Sequence, residues 1–438
     1  MTDDSKEKLD VKLTFYIGLA FFTTGIAWGL YDTQVNQQLE IYLGFLAFVG
    51  FWMALDNIIG VIIQPIMGSV SDNTRSRFGR RTPYIIIGVI LSAIFFAIIP
   101  TGFGTSFGTL LVWMFLFGIS MGFYRSQAVA LMPDFVRPHN RSKANAIINL
   151  MGGVGAVIAF TLGLVGDSIG FQAVFIIVSV IMVVALLIFL WKVKEVEAYS
   201  YKLLHEVEAK EGKKMKQGIE KPKLIESIKD IAKEDDKATL IMLLAIFFWF
   251  VGYQGIQSLF TIYATDPNIL NQSSGFASFM LNFVAIPFIL FAIPAGIIAT
   301  KMGRRKTIKI GLILMISALI FGALVQKNLI ATILALVLAG IGWAMVNVNS
   351  ITVVWELAPS IEKIGTYTGV YYFFSVLAAI LGPSIVGALT DLTGRAFLLI
   401  NAAIFLIIAL VLMFFVKRGE VELSEEEKLR RQKAIQEL

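Results

Sequence analysis

"PIMGSVSDNTRSRFGRRTPYIIIG", Pro65 to Gly88, sets four arginines and one aspartate in a short turn between two apolar runs, and its reading decides the fold. An apolar stretch needs roughly 20 residues to cross a bilayer, and it crosses as a helix because backbone groups left unpaired in hydrocarbon are too costly. Both flanks of the turn meet that requirement. Extended along the chain, the same rule predicts twelve spans, at about 13–35, 43–67, 82–101, 106–133, 144–166, 171–191, 238–262, 275–299, 307–326, 329–355, 364–390 and 396–416. Composition agrees: 57% of the 438 residues are hydrophobic, 16% are charged, and the mean hydropathy is +0.77, far from a soluble domain of ordinary usage.

Orientation follows from the basic residues of the loops. All but three of the 37 lysines and arginines fall on the face that carries both termini and the opening turn; Lys327 and Arg395 lie on the other face and Arg125 lies inside a span. Both termini are expected to be cytoplasmic, in a multi-pass protein of the plasma membrane. The net charge of +6 reflects this asymmetry, not an affinity for nucleic acid. The first 12 residues, "MTDDSKEKLDVK", mix acids and bases unlike the basic start of a cleaved signal, so span 1 is expected to be retained. Cysteine is absent, which removes disulfides and thiolate chemistry. His139 and His205 fall in polar connections without metal-ligand spacing. No nucleophile and base pair is visible, so neither an enzyme nor a metal or cofactor is expected.

The charged stretch between Trp191 and Ala238 divides the spans six and six. The expected domains are a bundle at 1–193, a cytoplasmic linker at 194–237, a second bundle at 238–417 and a cytoplasmic tail at 418–438. The linker reads as a solvated tether, except that Leu224, Ile225, Ile228 and Ile231 have helical apolar spacing suited to a membrane surface. The halves repeat. "GDSIGFQAVF" from Gly166 and "TDLTGRAFLL" from Thr390 each place an aspartate (Asp167, Asp391) three residues before a glycine, and Gly-Arg-Arg recurs at Gly79 and Gly303 with the same offset of 224. The fold class is therefore an all-α integral membrane protein with twelve transmembrane helices in two homologous six-helix bundles. Such repeats are expected to put a substrate site near the bilayer midplane, between the halves.

Twelve spans, the six-plus-six split and "GSVSDNTRSRFGRR" with its degenerate copy "GIIATKMGRRK" resemble the major facilitator superfamily. Arg77-Phe78-Gly79-Arg80-Arg81 resembles the arginine-rich loop of the sucrose/proton symporters of plants and their animal and bacterial relatives, and "ALMPDFVRPHNRSKANAIINLMGGVGAVIA" is similar to their span 4/5 region. "QPIMG" and "NTRSRFG" are close to the glycoside-pentoside-hexuronide:cation symporters. The resemblance covers nearly the whole chain and implies the major facilitator fold and import of a sugar, a disaccharide or other glycoside, with a coupling ion. Two departures bear on that ion. In melibiose-type relatives a pair of aspartates one turn apart precedes the proline motif and binds the cation; Gly60 and Gln64 stand there, which favours protons over sodium. The acid that sucrose-type relatives carry in span 4 is also missing from "FGISMGFYRSQAVALMPD".

Asp72 follows Gly68 by one turn and ends span 2, where Arg75, Arg77, Arg80 and Arg81 reach either it or the carbonyl ends of neighbouring helices. Such contacts would act as a latch on the cytoplasmic side; as topology anchors the same arginines would simply hold the loop inside, and the two roles are compatible. In the copy, Arg304 and Arg305 remain but Thr300 stands where Asp72 would be. Asp134 and Glu356 end spans 4 and 10 and either pair as gate charges with Arg137, Arg141 or Lys363 or end their helices in water.

Ionisable residues inside spans are costly and mark function. Asp56, on a stripe with Trp52, Gly60, Gln64 and Gly68, is the first choice as proton carrier; a structural ion pair with Arg125 is its alternative. Arg125 presents a planar donor fork suited to a carboxylate or to sugar hydroxyls and is assigned to link proton and substrate. Asp32 shares a stripe with Thr24, Trp28 and Asn36 and is assigned to both coupling and sugar binding. An aromatic platform with nearby amides and carboxylates is sugar-binding chemistry. Trp28 supplies it in span 1, Tyr253, Gln254 and Gln257 in span 7, Trp343, Asn347 and Asn349 in span 10, and Tyr371 in span 11. Each residue alone also fits an interhelical hydrogen bond. The expected partners are a neutral sugar and the lipid bilayer around a monomer, with the proton as coupling ion and sodium as the alternative; a proton-driven exporter and a non-transporting nutrient sensor are the other readings.

Overall fold

The computed structural model describes residues 8–137, 140–211, 224–233, 236–360 and 363–420. His139 and most of the expected tail, 421–438, lie outside these. Among the described residues, twelve helices are long and apolar enough to cross a membrane. They are span 1 (Val11–Leu43), span 2 (Leu46–Met53 and Leu55–Asp72), span 3 (Thr82–Ile98), span 4 (Phe107–Phe135), span 5 (Arg141–Ile169) and span 6 (Phe171–Lys192). Span 7 (Ala238–Thr265), span 8 (Ser274–Met280 and Asn282–Met302), span 9 (Arg304–Leu324), span 10 (Leu329–Leu357), span 11 (Ile364–Thr393) and span 12 (Leu398–Phe415) follow. Among the described residues there is no strand. All twelve were visible in the hydropathy, and most run longer at one end or both because polar residues at the membrane surface continue the helical turns.

The chain divides into two compact units. The first holds residues 1–221 together with Ser258–Pro267 and Asn271–Asn282; the second holds Pro222–Gln257, Asn268–Leu270 and Phe283–Leu438. The ends of spans 7 and 8 thus belong with the first unit, a division that the even six-and-six split does not contain. Hydrogen bonds within that unit account for it. Asn36 donates its amide to the Ser258 carbonyl at 2.6 Å and to Thr261 Oγ1 at 2.7 Å, Ser278 Oγ donates to Thr33 Oγ1 at 2.8 Å, and Asp167 accepts from the Gly275 amide at 2.9 Å. Asn36, on the stripe that carries Asp32, is fully buried, and its amide ties span 1 to span 7.

Small residues let the spans approach. A Cβ at Gly155 would sit 2.6 Å from the Phe22 carbonyl and 2.8 Å from the Ile26 nitrogen, so span 5 lies directly on span 1. This is the packing role that the glycines of "LMGGVGAVIAFTLG" suggested. In the second unit Gly311 and Gly342 bring spans 9 and 10 together, and Gly252, Gly255 and Gly382 seat span 7 on spans 11 and 12. The repeats share backbone geometry as well as letters. Gly79 and Gly303 have φ of +106° and +96°, and Gly170 and Gly394 have +85° and +102°, a left-handed turn that glycine enters without a Cβ penalty.

The linker is not a tether throughout. Glu195 is buried, Tyr199–Glu211 is helical, and Leu224–Lys233 forms a second helix that packs against span 11 through buried Ile231. Ile231 is buried and Ile228 half-buried, while the side chains of Leu224 and Ile225 lie outside what is described.

Candidate functional site

The turn that opened the sequence folds into a buried charge cluster within the first unit. Asp134, at the end of span 4, receives Arg80 Nη2 on Oδ1 at 2.6 Å and Arg81 Nε on Oδ2 at 2.5 Å. Arg81 Nη2 also reaches Asp72 Oδ1 at 3.0 Å. Asp134 thus takes two arginines from the loop assigned to Asp72, a correction to the Arg137, Arg141 or Lys363 that chain position suggested. Ser200 Oγ donates to the same Asp134 oxygen at 2.8 Å. Arg75 pairs with Glu208 at 2.7 Å and caps the Asp72 carbonyl at 2.8 Å, while Arg77 stacks over the Phe78 ring at 4.7 Å.

Glu195 was missed by the sequence reading and is central. Its carboxylate accepts the backbone amides of Arg80 (2.9 Å), Arg81 (2.9 Å) and Thr82 (2.7 Å), together with the Thr82 hydroxyl (2.7 Å). A carboxylate at the start of span 3 satisfies donors that a helix N-terminus leaves open. Gly79 is required beside it, because a Cβ there would fall 2.4 Å from the Glu195 carboxyl carbon. The second unit repeats the arrangement: Glu420 accepts the amides of Arg304 and Arg305, each at 2.8 Å. The signal was present as a third repeat, Glu-Val-Glu at 195–197 and 420–422, just after spans 6 and 12. Arg304 Nη1 binds Glu356 at 2.8 Å, and Arg305 donates to the Val416 carbonyl at 2.9 Å, so Glu356 pairs with the Gly-Arg-Arg turn as Asp134 does.

Deeper in the first unit, span 2 breaks at Ala54 and resumes with Asp56 in its first turn. Asp56 is half-buried, the Asn57 amide donates to Oδ1 at 3.0 Å, and Arg125 acts on it electrostatically. Among the described residues no ion pair within 4 Å joins Asp56 to Arg125, so the structural pair is not formed here. Arg125 is exposed in the protein. Trp28 stands edge-on to Tyr31 and Phe117 at 5.1 and 5.0 Å, and its indole N–H is buried without a partner among the described residues. Asp32 lies one turn further along span 1, half-buried.

In the second unit Tyr253 stacks on Trp343 at 3.9 Å between ring centres, nearly parallel. Gln254, Gln257 and Asn347 are half-buried, and their side chains make no hydrogen bond with a described residue. Two other expected binders are committed elsewhere. Asn349 is buried and donates to the Met345 carbonyl at 2.9 Å and the Ala295 carbonyl at 3.5 Å; Tyr371 is buried with its hydroxyl 3.0 Å from Ser350 Oγ. Both tie helices together, the plainer of the two readings of polar residues in spans.

Two repeated helical units with twelve membrane-length helices, each unit carrying its own Gly-Arg-Arg turn after its second span, define a multi-pass membrane protein. The sequence profile of the Major Facilitator Superfamily matches residues 13–270 and 242–437, and the chain belongs to that family. It is 23% identical over 398 residues to the isoprimeverose transporter of Lactiplantibacillus pentosus, covering 86% of this chain and 78% of that protein. A segment of 156 residues is 28% identical to sucrose transport protein SUC3 of Arabidopsis thaliana, covering 31% of this chain; the match spans 25% of that transporter's length. A crystal structure of a D-xylose-proton symporter superposes with a TM-score of 0.64 at 15% identity, over 93% of this chain and 98% of that one, a likeness of fold.

Proposed function

We propose that this protein is a secondary transporter that imports a sugar together with protons by alternating access, in the plasma membrane with both termini cytoplasmic. What carries the reading is the second unit's aromatic stack: the Tyr253 ring covers Trp343, Gln257 lies one turn from Tyr253 on span 7 and Asn347 one turn from Trp343 on span 10, and the amides of Gln254, Gln257 and Asn347 make no hydrogen bond with a described residue. Uncharged donors and acceptors in a membrane span, next to an aromatic face, suit the hydroxyls and C–H face of a neutral sugar. Relatives named as sucrose and isoprimeverose transporters support the same substrate class. In the first unit Trp28 and Asp32 supply the matching platform and acceptor. Asp56 is the proton carrier in this reading: a lone carboxylate suffices for a proton, whereas a hard cation needs several oxygens. Arg125 answers to it, holding Asp56 in one state and sugar hydroxyls in the other.

The test is uptake of radiolabelled mono- and disaccharides into proteoliposomes under an imposed pH gradient and, separately, a sodium gradient. Accumulation driven by the pH gradient alone is expected. Asp56→Asn should abolish uphill accumulation and leave downhill exchange, and Arg125→Ala should remove both. Uphill accumulation that survives in Asp56→Asn eliminates Asp56 as carrier, a requirement for sodium removes the proton, and silence across the panel removes the sugar.

A further inference from the structure

The second unit holds a cavity of about 590 Å³ at the arginine end of spans 8, 9 and 12. Six cationic side chains line it, Lys301, Arg304, Arg305, Lys306, Lys309 and Lys417, against the single carboxylate of Glu420. That carboxylate is already engaged by two backbone amides and by Arg305 Nε at 3.3 Å. Among the described residues the four lysines have no ion-pair partner.

The repeat shows which of these charges the fold itself needs. The offset that aligns Gly79 with Gly303 puts Lys306 opposite Thr82 and Lys309 opposite Ile85. In the first unit Thr82 bonds Glu195 and Ile85 is buried, so the same turn is built without a cation at either place. Lys306 and Lys309 are therefore additions on the second copy. Their surroundings are amphipathic. Lys309 Nζ sits 5.0 Å over the Phe414 ring, a cavity wall that is itself 62% exposed. One turn further along span 9, Ile310 follows Lys306 and Ile313 follows Lys309, both exposed. Charge at the rim with bare aliphatic and aromatic surface one turn deeper fits a molecule with a phosphate head and an apolar body.

We infer that this cavity binds the phosphate-bearing headgroup of an anionic phospholipid, with the acyl chains on Phe414, Ile310 and Ile313. Topology anchoring alone asks only for charge on this face of the membrane and not for its convergence on one open cavity.

The experiment is native mass spectrometry of the detergent-solubilised full chain titrated with phosphatidylglycerol, phosphatidylcholine or inorganic phosphate. Phosphatidylglycerol should be retained over phosphatidylcholine, and the double change K306T/K309I, which installs the first unit's residues, should weaken it roughly thirty-fold, at about 1 kcal/mol per lysine. K306R/K309R should retain binding. Melting temperatures show whether each variant is folded; if K306T/K309I is not, K301Q/K417Q, which removes the cavity's other two lysines, should show the same loss. Equal retention of the two lipids, or undiminished binding in a folded charge-removal variant, overturns the inference. Displacement of phosphatidylglycerol by inorganic phosphate at equal concentration also overturns it, by reassigning the cavity to a soluble phosphate compound.

Discussion

The Gly-Arg-Arg turn of the first unit lies under protein, and the same turn in the second unit is partly open. Side chains of Arg80, Arg81 and Asp134 are 7–10% exposed. Arg304 and Glu356 are 22% and 35% exposed, and Arg305 and Glu420 are 27% and 29%. One sequence motif thus supports two kinds of electrostatics. In the first unit the linker helix Tyr199–Glu211 supplies Ser200 and Glu208 to the cluster. Burial makes each charge depend on its partner, because an uncompensated ion away from water costs several kcal/mol, whereas an exposed pair is worth little.

The largest expected effect follows directly. Asp134→Asn leaves Arg80 and Arg81 buried without the carboxylate they share, and should cost the first unit about 3–5 kcal/mol, measured as loss of unfolding free energy or melting temperature of the full chain in detergent. A cost no greater than that of Glu356→Gln would break the comparison, since the burial difference would then carry no energetic weight.

How much of this was legible depended on chain distance. The spans, the repeat and the arginines are local patterns, and each is visible in a short window such as Pro65–Gly88. Asp134 was visible as a cytoplasmic-end charge, but its partners were not, since Arg80 lies 54 residues away and nothing in the sequence prefers it to neighbouring Arg137. Glu195 was hidden for a different reason. It stands in a stretch of mixed charge that reads as solvated, and only the second Glu-Val-Glu, 225 residues on and one residue out of step with the 224-residue offset, marks it out. Among the polar span residues, composition could not separate Asn349, whose amide reaches the Ala295 carbonyl of span 8, from Asn347 two positions earlier, whose amide makes no such bond with a described residue. That choice is a matter of helix rotation in the packed unit.

Next in size is Glu195→Ala. It strips acceptors from three buried amides and a hydroxyl at the start of span 3, and should cost about 1–3 kcal/mol in the same measurement. Glu420→Ala removes acceptors from two amides that water reaches more easily, so its cost should be clearly smaller. Equal costs would mean that the caps, unlike the ion pairs, are insensitive to the shielding that separates the units.

The smallest effect sharpens the comparison most. Glu356→Gln removes the charge from a pair about a quarter to a third exposed, and should cost under about 1 kcal/mol, since solvent screens such a pair and side-chain ordering offsets part of the attraction. At 1 M salt, where the screening length falls to about 3 Å, the difference between Glu356→Gln and the unmodified chain should vanish, while that of Asp134→Asn should persist because its partners lie out of reach of mobile ions. Salt therefore separates the two copies without further substitution. If both differences shrink in parallel, the first cluster is reached by solvent during local opening, and the shelter provided by the Tyr199–Glu211 helix is transient.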